Sequence, residues 1–172
     1  DPASASTYTL EAQVTDQNRQ AIANRQSFVV HPADEYVGVR SERSVYKEGE
    51  QARIEAVVVD VAGQRVRDRA IELTLVRRET ERKAVETNGR WTYKYDTTDV
   101  PVGSCKLTSG PSPATCDLKV DKPGSYVARA EIRDAKGRRA LTRHNIFVHG
   151  KDAVVWDQDQ RRVDLVPNKR SY

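Results

Sequence analysis

Methionine is absent from this 172-residue chain, histidine occurs three times, cysteine twice, and aromatic residues make up only 6% of it. No apolar run is long enough to cross a bilayer as a helix, and no secretory leader is legible. Signatures of catalysis are missing too. There is no Gly-x-Ser-x-Gly elbow, no phosphate-cradling glycine loop, no His-Glu-x-x-His and no dinucleotide fingerprint. Zinc would need a second ligand pair beside the cysteines, and none has suitable spacing. His144 and His149 lie an odd number of residues apart on one predicted strand, so they point to opposite faces. Glu48/Glu50 and Asp157/Asp159 fall in predicted loops and read as solvated. Neither enzymatic activity nor a metal or other cofactor is expected.

Hydrophobic residues make up 37% of the chain and charged residues 31%, with a net charge of +4. The two signs are interspersed, as on a well-solvated surface. Basic doublets stand at Arg77-Arg78, Arg138-Arg139 and Arg161-Arg162. They sit at predicted strand ends and turns instead of lining one face with aromatics between them, which argues against a nucleic-acid partner. The apolar residues lean to valine and alanine in alternation, a pattern that favours strands over helices.

The chain repeats itself. Residues 126–149 (YVARAEIRDAKGRRALTRHNIFVH) align without gaps on residues 8–31 (YTLEAQVTDQNRQAIANRQSFVVH) at an offset of 118. Tyr8 matches Tyr126, Ala12 matches Ala130, Asp16 matches Asp134, Arg25 matches Arg143, Val30 matches Val148 and His31 matches His149. Each copy reads as strand, tight turn and strand. A fainter echo links Arg43-Ser44-Val45-Tyr46 to Lys169-Arg170-Ser171-Tyr172. Self-similarity at a long fixed offset marks tandem modules. The expected organisation is the closing hairpin of one module (residues 1–35), a complete module (36–150), and a linker with the first strand of a third (151–172). His31 and His149 end equivalent hairpins, which points to a structural role. Residues 1–6 read as linker, and any export signal is expected further upstream in a longer parent.

Within the complete module, Ala52, Ile54, Ala56 and Val58 alternate with polar neighbours, as do Ile71, Leu73 and Leu75, and then Tyr126, Ala128, Ala130 and Ile132. Turn signals recur every 8–12 residues. The expected fold is all-β, an immunoglobulin/fibronectin-like antiparallel β-sandwich in a tandem array, with a barrel as the alternative. The charged run 77–88 reads as a strand extension into an exposed hairpin with Asn88-Gly89 at its tip. Residues 90–96 return as a strand with Trp91, Tyr93 and Tyr95 on one face. Trp91 is expected to pack in the core or between sheets, and Trp156 to act as a spacer between modules. Residues 97–103 read as a loop around Pro101. Arg82, Lys83, Asn88, Gly89 and Arg90 make a candidate exposed, protease-sensitive loop, against the plainer reading of a surface hairpin.

Cys105 and Cys116 flank a Ser-Gly-Pro-Ser-Pro turn that would fold the chain back and set the two sulfurs opposite each other. A disulfide across this hairpin is expected, and with it an oxidising compartment. The Asp60-x-x-Gly63, Asp134-x-x-Gly137 and Asp16-x-x-Arg19 segments are hairpin turns by their chemistry. Calcium would require several further oxygen ligands.

A run of short motifs, in order, resembles the bacterial α2-macroglobulin family. They are Phe28-Val-Val-His31-Pro32 through Tyr36-Val37-Gly38, then Tyr46-Lys-Glu-Gly49, Val57-Val-Val-Asp60 with Gly63, and Leu75-Val-Arg77-Arg78. After these come Pro123-Gly124-Ser-Tyr126, Asp134-Ala-Lys-Gly137-Arg138, Phe147-Val-His-Gly150 and Leu165-Val-Pro167-Asn-Lys169-Arg-Ser-Tyr172. The resemblance implies seven-stranded macroglobulin-like (MG) sandwiches in a secreted parent, usually a lipoprotein on the periplasmic face of the inner membrane. Such parents present a bait segment, rearrange when a protease cuts it, and capture the protease, in many members through a thioester. The thioester motif Cys-x-Glu-Gln is absent here, and the bait is expected downstream of Tyr172. The implied partners are neighbouring MG modules and, through the parent's bait, target proteases; the membrane is reached only by a lipid anchor elsewhere. The alternative is a spacer or binding sandwich of a tandem-domain surface adhesin.

Overall fold

A computed structural model describes residues 5–87 and 90–151. All ten regular elements in these residues are strands: β1 (Ser6–Thr15), β2 (Ala21–Val30), β3 (Glu35–Ser41), β4 (Val45–Lys47), β5 (Gln51–Asp60), β6 (Ala70–Thr87), β7 (Arg90–Thr108), β8 (Ala114–Lys119), β9 (Gly124–Arg133) and β10 (Arg139–His149). β4-β10-β9-β6-β7 form a five-stranded sheet, β3-β5-β8 a three-stranded sheet, and β1-β2 a separate ribbon. Only the short β4–β10 pair is parallel. The sandwich therefore has eight strands where the resemblance implies seven.

Alternation places the core. Ala52, Ile54, Ala56 and Val58 of β5 are buried, as are Ile71, Leu73 and Leu75 of β6 and Tyr126, Ala128, Ala130 and Ile132 of β9; all belong to one apolar cluster. Full burial of each larger aliphatic side chain is worth about 1.5–3 kcal/mol, so this cluster holds the two sheets together. Tyr126 buries its ring and donates its hydroxyl to the Lys122 carbonyl at 2.7 Å, a tyrosine corner at the start of β9.

The two flanks of the sandwich are closed differently. On one side β10 meets β3 across the gap: Thr142 Oγ1 donates to the Val37 carbonyl at 2.6 Å, and His144 Nε2 lies 2.9 Å from Ser41 Oγ. On the other side the edge strands β7 and β8 carry Cys105 and Cys116, which form a disulfide. The bond is therefore inter-sheet and does not cross a hairpin. β7 and β8 are adjacent in sequence, but each pairs with a different neighbour.

Residues 97–103 are not a loop. β7 runs through them without a break, paired to β6. Leu75 pairs with Gly103 and Val76 with Pro101, which leaves Val102 as the extra residue of a bulge. Proline lacks the ladder N–H, and an edge strand beside a bulge is where a sheet tolerates it. Gly103 stands close against the facing sheet: a Cβ there would lie 2.9 Å from Leu118 Cδ2, which would have to shift.

The β1–β2 ribbon repeats β9–β10 register for register. Tyr8 pairs with Phe28 and Val14 with Ile22; 118 residues later, Tyr126 pairs with Ile146 and Ile132 with Ala140. Burial differs completely. The face that β9 and β10 bury is exposed in the ribbon: Leu10 is 65% exposed and Val14 70%. The Asn88-Gly89 tip, the Trp156 spacer and the third-module strand expected from residues 151–172 fall on residues 88–89 and 152–172, outside the described residues.

Candidate functional site

Beyond the last β6–β9 pair, Arg78 with Ser125, β6 and β7 continue as a two-stranded arm paired as far as Thr87 and Arg90. β9 begins at Gly124, so among the described residues no strand covers the arm from that side. Trp91 is 70% exposed and Tyr93 56%, which corrects the expectation that Trp91 packs in the core: no facing sheet of the described residues reaches this far. Direct cross-strand partners share a face. One face carries Glu86 with Trp91, Ala84 with Tyr93 and Arg82 with Tyr95, and the Arg82 guanidinium stacks over the Tyr93 ring at 4.6 Å. On the other, Lys83 Nζ reaches Asp96 at 3.1 Å and Glu81 at 3.6 Å, while Lys94 reaches Asp96 at 3.3 Å. Exposed pairs of this kind add little stability. They neutralise one face and leave the other aromatic.

The structure thus places Arg82 and Lys83 in the paired strand β6 rather than in a loop, and Arg90 at the first position of β7 opposite Thr87. All three lie in ladder pairs of the arm. Asn88 and Gly89 lie outside the described residues.

The three Asp turns are built alike. Asp60 Oδ1 accepts the N–H of Ala62 at 2.9 Å and of Gln64 at 2.8 Å. Asp134 Oδ1 accepts those of Lys136 and Arg138, both at 2.9 Å, and Asp16 Oδ1 that of Gln20 at 2.8 Å. The lone pairs a calcium ion would need are turning the chain instead. Gly63 and Gly137 supply the positive φ that follows; in the first copy Arg19 does so at φ 65°.

One of these turns has an additional task that the pattern alone did not disclose. Asp134 is buried, and its Oδ2 accepts Arg138 Nε at 2.8 Å and the backbone N–H of Asp34 at 3.0 Å. The Asp34 carboxylate in turn pairs with Arg138 and, at 2.9 Å, with Lys136. Burial alone pushes the Asp134 carboxyl up, but the N–H groups of Asp34 and Arg138 and the Arg138 guanidinium more than reverse this and leave it well below the carboxylate range. Arg138 and then Lys136 hold Asp34 down at about 2. Next to it, Ala33 is fully buried, and Glu35 receives Arg69 through two bonds of 2.6 and 2.8 Å. His31 Nδ1 sits 2.7 Å from the Tyr36 hydroxyl. The linker between ribbon and sandwich is thus anchored along its length. The available signal was the pair of cations, Lys136 and Arg138, absent from the equivalent positions Asn18 and Gln20.

Among the described residues, Ser41 and His144 form a Ser–His pair, 2.9 Å apart. The Ser41 hydroxyl donates to the Arg43 carbonyl at 2.6 Å, so its proton is not directed at the imidazole as a nucleophile's would be. The geometry is that of a seam between sheets.

The profile of bacterial macroglobulin domain 6 matches residues 38–149. An alpha-2-macroglobulin homolog of Nostoc sp. is 30% identical over 174 residues, covering 96% of this chain and 9% of that protein. The native conformation of Escherichia coli alpha-2-macroglobulin superposes with a TM-score of 0.62 at 15% identity, over 86% of this chain and 10% of that one. Salmonella alpha-2-macroglobulin reacted with methylamine gives 0.58 at 16%, over 82% and 10%. At such identities the structures establish the fold alone, and the chain spans about a tenth of each relative's length. The order of the motifs and the family match over most of the chain agree: this chain belongs to the bacterial alpha-2-macroglobulin family, with residues 38–149 as its macroglobulin domain 6.

Proposed function

We propose that the chain is a structural, non-catalytic segment of a longer periplasmic alpha-2-macroglobulin that traps proteases. In this reading β1–β2 closes the module before, residues 36–150 form one complete module, and residues 151–172 lead into the next. The observation that carries it is the ribbon's register, identical to that of β9–β10, combined with an uncovered apolar face. β9–β10 bury that face against β3-β5-β8, so an equivalent sheet upstream would cover Leu10, Val14 and Ile22. An isolated two-stranded ribbon is marginal in water, which makes such a cover a physical requirement.

The trapping role is supported by family membership and by an Escherichia coli relative described as activated by porcine elastase. Export to the periplasm is supported by the disulfide. The bait, any thioester and the lipid anchor to the inner membrane belong to other parts of the parent. The experiment is to incubate the full-length parent with a panel of proteases, follow its shape in solution and sequence the new termini. A single early cut, followed by compaction and retention of the protease, is expected. Scattered cuts with no compaction and no retained protease would leave the sandwich as a spacer in another kind of array.

One observation favours a second reading, a binding module. Trp91 and Tyr93 are exposed on the arm, as in a platform for stacking sugar rings. Titration with soluble glycan oligomers, read by the fluorescence difference between the wild type and Trp91→Phe, decides it: saturable quenching that the variant lacks supports this reading, and none discards it.

A further inference from the structure

We propose that the Asp134 turn is a clasp: Lys136 and Arg138 lock the linker onto the sandwich and so set the direction in which the β1–β2 ribbon leaves it. The clasp stands on the contacts of the described residues. Its consequence, that a preceding module is carried at a fixed angle, rests on reading β1–β2 as the end of that module.

The ribbon makes the argument by comparison. The Asp16 and Asp134 turns share their backbone design. Asp16 N–H bonds the Gln20 carbonyl and Arg19 N–H the Asp16 carbonyl, at 2.9 and 3.0 Å; Asp134 N–H bonds the Arg138 carbonyl and Gly137 N–H the Asp134 carbonyl, both at 2.9 Å. Turn formation therefore needs neither Lys136 nor Arg138. What those two residues add lies outside the turn. Arg138 bridges the Asp134 and Asp34 carboxylates, and Lys136 takes Asp34 from the other side. Two carboxylates brought together would repel each other; two cations between them convert that repulsion into a four-charge cluster. Arg138 Nε donates directly to the buried Asp134 carboxylate, a charge-assisted bond stronger than a neutral one; the pairs to Asp34 balance its charge.

The site of the cluster matters. Asp34 lies between Val30, the last residue of the ribbon, and Glu35, the first of β3. A joint of this length is ordinarily free to swing. Here the segment is held at three successive points: Ala33 by burial, Asp34 by the clasp and Glu35 by Arg69. The ribbon itself contributes no strand pairing to the sandwich, so its direction depends on the linker.

The double variant Lys136→Asn/Arg138→Gln gives the turn the upstream residues at its two cation positions and should leave the sandwich folded. Asp34→Ala leaves the turn untouched and removes only the linker's carboxylate. In chain 1–172, the measurements are hydrogen exchange at the residue-34 amide and the alignment of ribbon amides relative to sandwich amides by residual dipolar couplings. The wild type is expected to align as one body. In the double variant the residue-34 amide should exchange about tenfold faster or more, as loss of a charge-assisted bond implies, and in both variants the ribbon's couplings should collapse toward those of an independent body. If the wild-type ribbon already aligns independently, or if Asp34→Ala leaves the alignment unchanged, the clasp is wrong. Should the double variant lose the sandwich spectrum, Asp34→Ala decides alone. Failure of protease trapping in the parent would not touch these results.

Discussion

Cys105 on β7 and Cys116 on β8 join the two sheets covalently, with Cα atoms 6.3 Å apart. β7 and β8 are the edge strands of their sheets, so the bond closes a flank that has no ladder hydrogen bonds across it. The opposite flank, between β10 and β3, is held by Thr142 and His144.

Removing the bond with Cys105→Ala/Cys116→Ala should therefore loosen one flank without changing the fold. Closing so short a loop contributes about 2–3 kcal/mol in the chain-entropy model, and a fall in Tm of roughly 5–15 °C is expected. Thermal unfolding followed by circular dichroism measures it; an unchanged Tm would mean that the disulfide carries no stability.

Val14 and Ile132 occupy the same place in the two copies, one 70% exposed and the other 2%. Ile132→Ala should cost the sandwich about 2–5 kcal/mol, whereas Val14→Ala should leave its denaturant midpoint within error. In a longer protein that includes the upstream sequence, Val14→Ala should become costly too. If it stays neutral there, the ribbon does not close a preceding module.

The clasp predicts an acid limit. Pairing with Arg138 and Lys136 holds Asp34 at about 2 against an ordinary 3.8, and Asp134 shifts the same way. A depressed carboxylate favours the folded, clasped state above its unfolded pKa, and that contribution fades as pH falls from about 4 through 2. Lys136 and Arg138 stay charged throughout this range. The clasp should thus hold between about pH 5 and 8 and loosen below about 3. A carbon-detected titration of the Asp34 carboxyl gives the test, and a midpoint near 4 would contradict the pairing.

Arg19 takes a positive φ, 65°, where its counterpart Gly137 takes 76°. A left-handed conformation costs a residue with a side chain roughly 1–2 kcal/mol. Arg19→Gly should return about 1 kcal/mol of that to the ribbon, seen as slower amide exchange across β1–β2 with no change in the sandwich.

Limited trypsin digestion should find the arm before the sandwich. Arg82 and Lys83 are exposed but laddered to Tyr95 and Lys94, and a protease needs an unpaired extended strand. Arg90 forms the terminal pair of the ladder, opposite Thr87, and strand ends fray first, so the first cut is expected after Arg90, with Arg82 and Lys83 cut only later. Simultaneous cutting at all three would mean that the ladder does not persist in solution.

Local chemistry alone set much of this protein. Period-two alternation marked which side chains of β5, β6 and β9 turn inward, Asp-x-x-Gly placed the turns, and the 118-residue offset foretold the register that the β1–β2 and β9–β10 ribbons share. These features depend on neighbours a few residues apart, where backbone sterics and side-chain alternation act directly. Tertiary structure decided what depends on distant partners. It assigned β7 and β8 to different sheets, so that a bond expected across a hairpin became a link between layers. It began β9 only at Gly124 while β6 ran on past that level, and so exposed a tryptophan that looked like core. It also brought Asp34 to a turn 100 residues away. No local pattern encodes where another strand stops or which turn receives a linker, because both follow from how the two sheets pack.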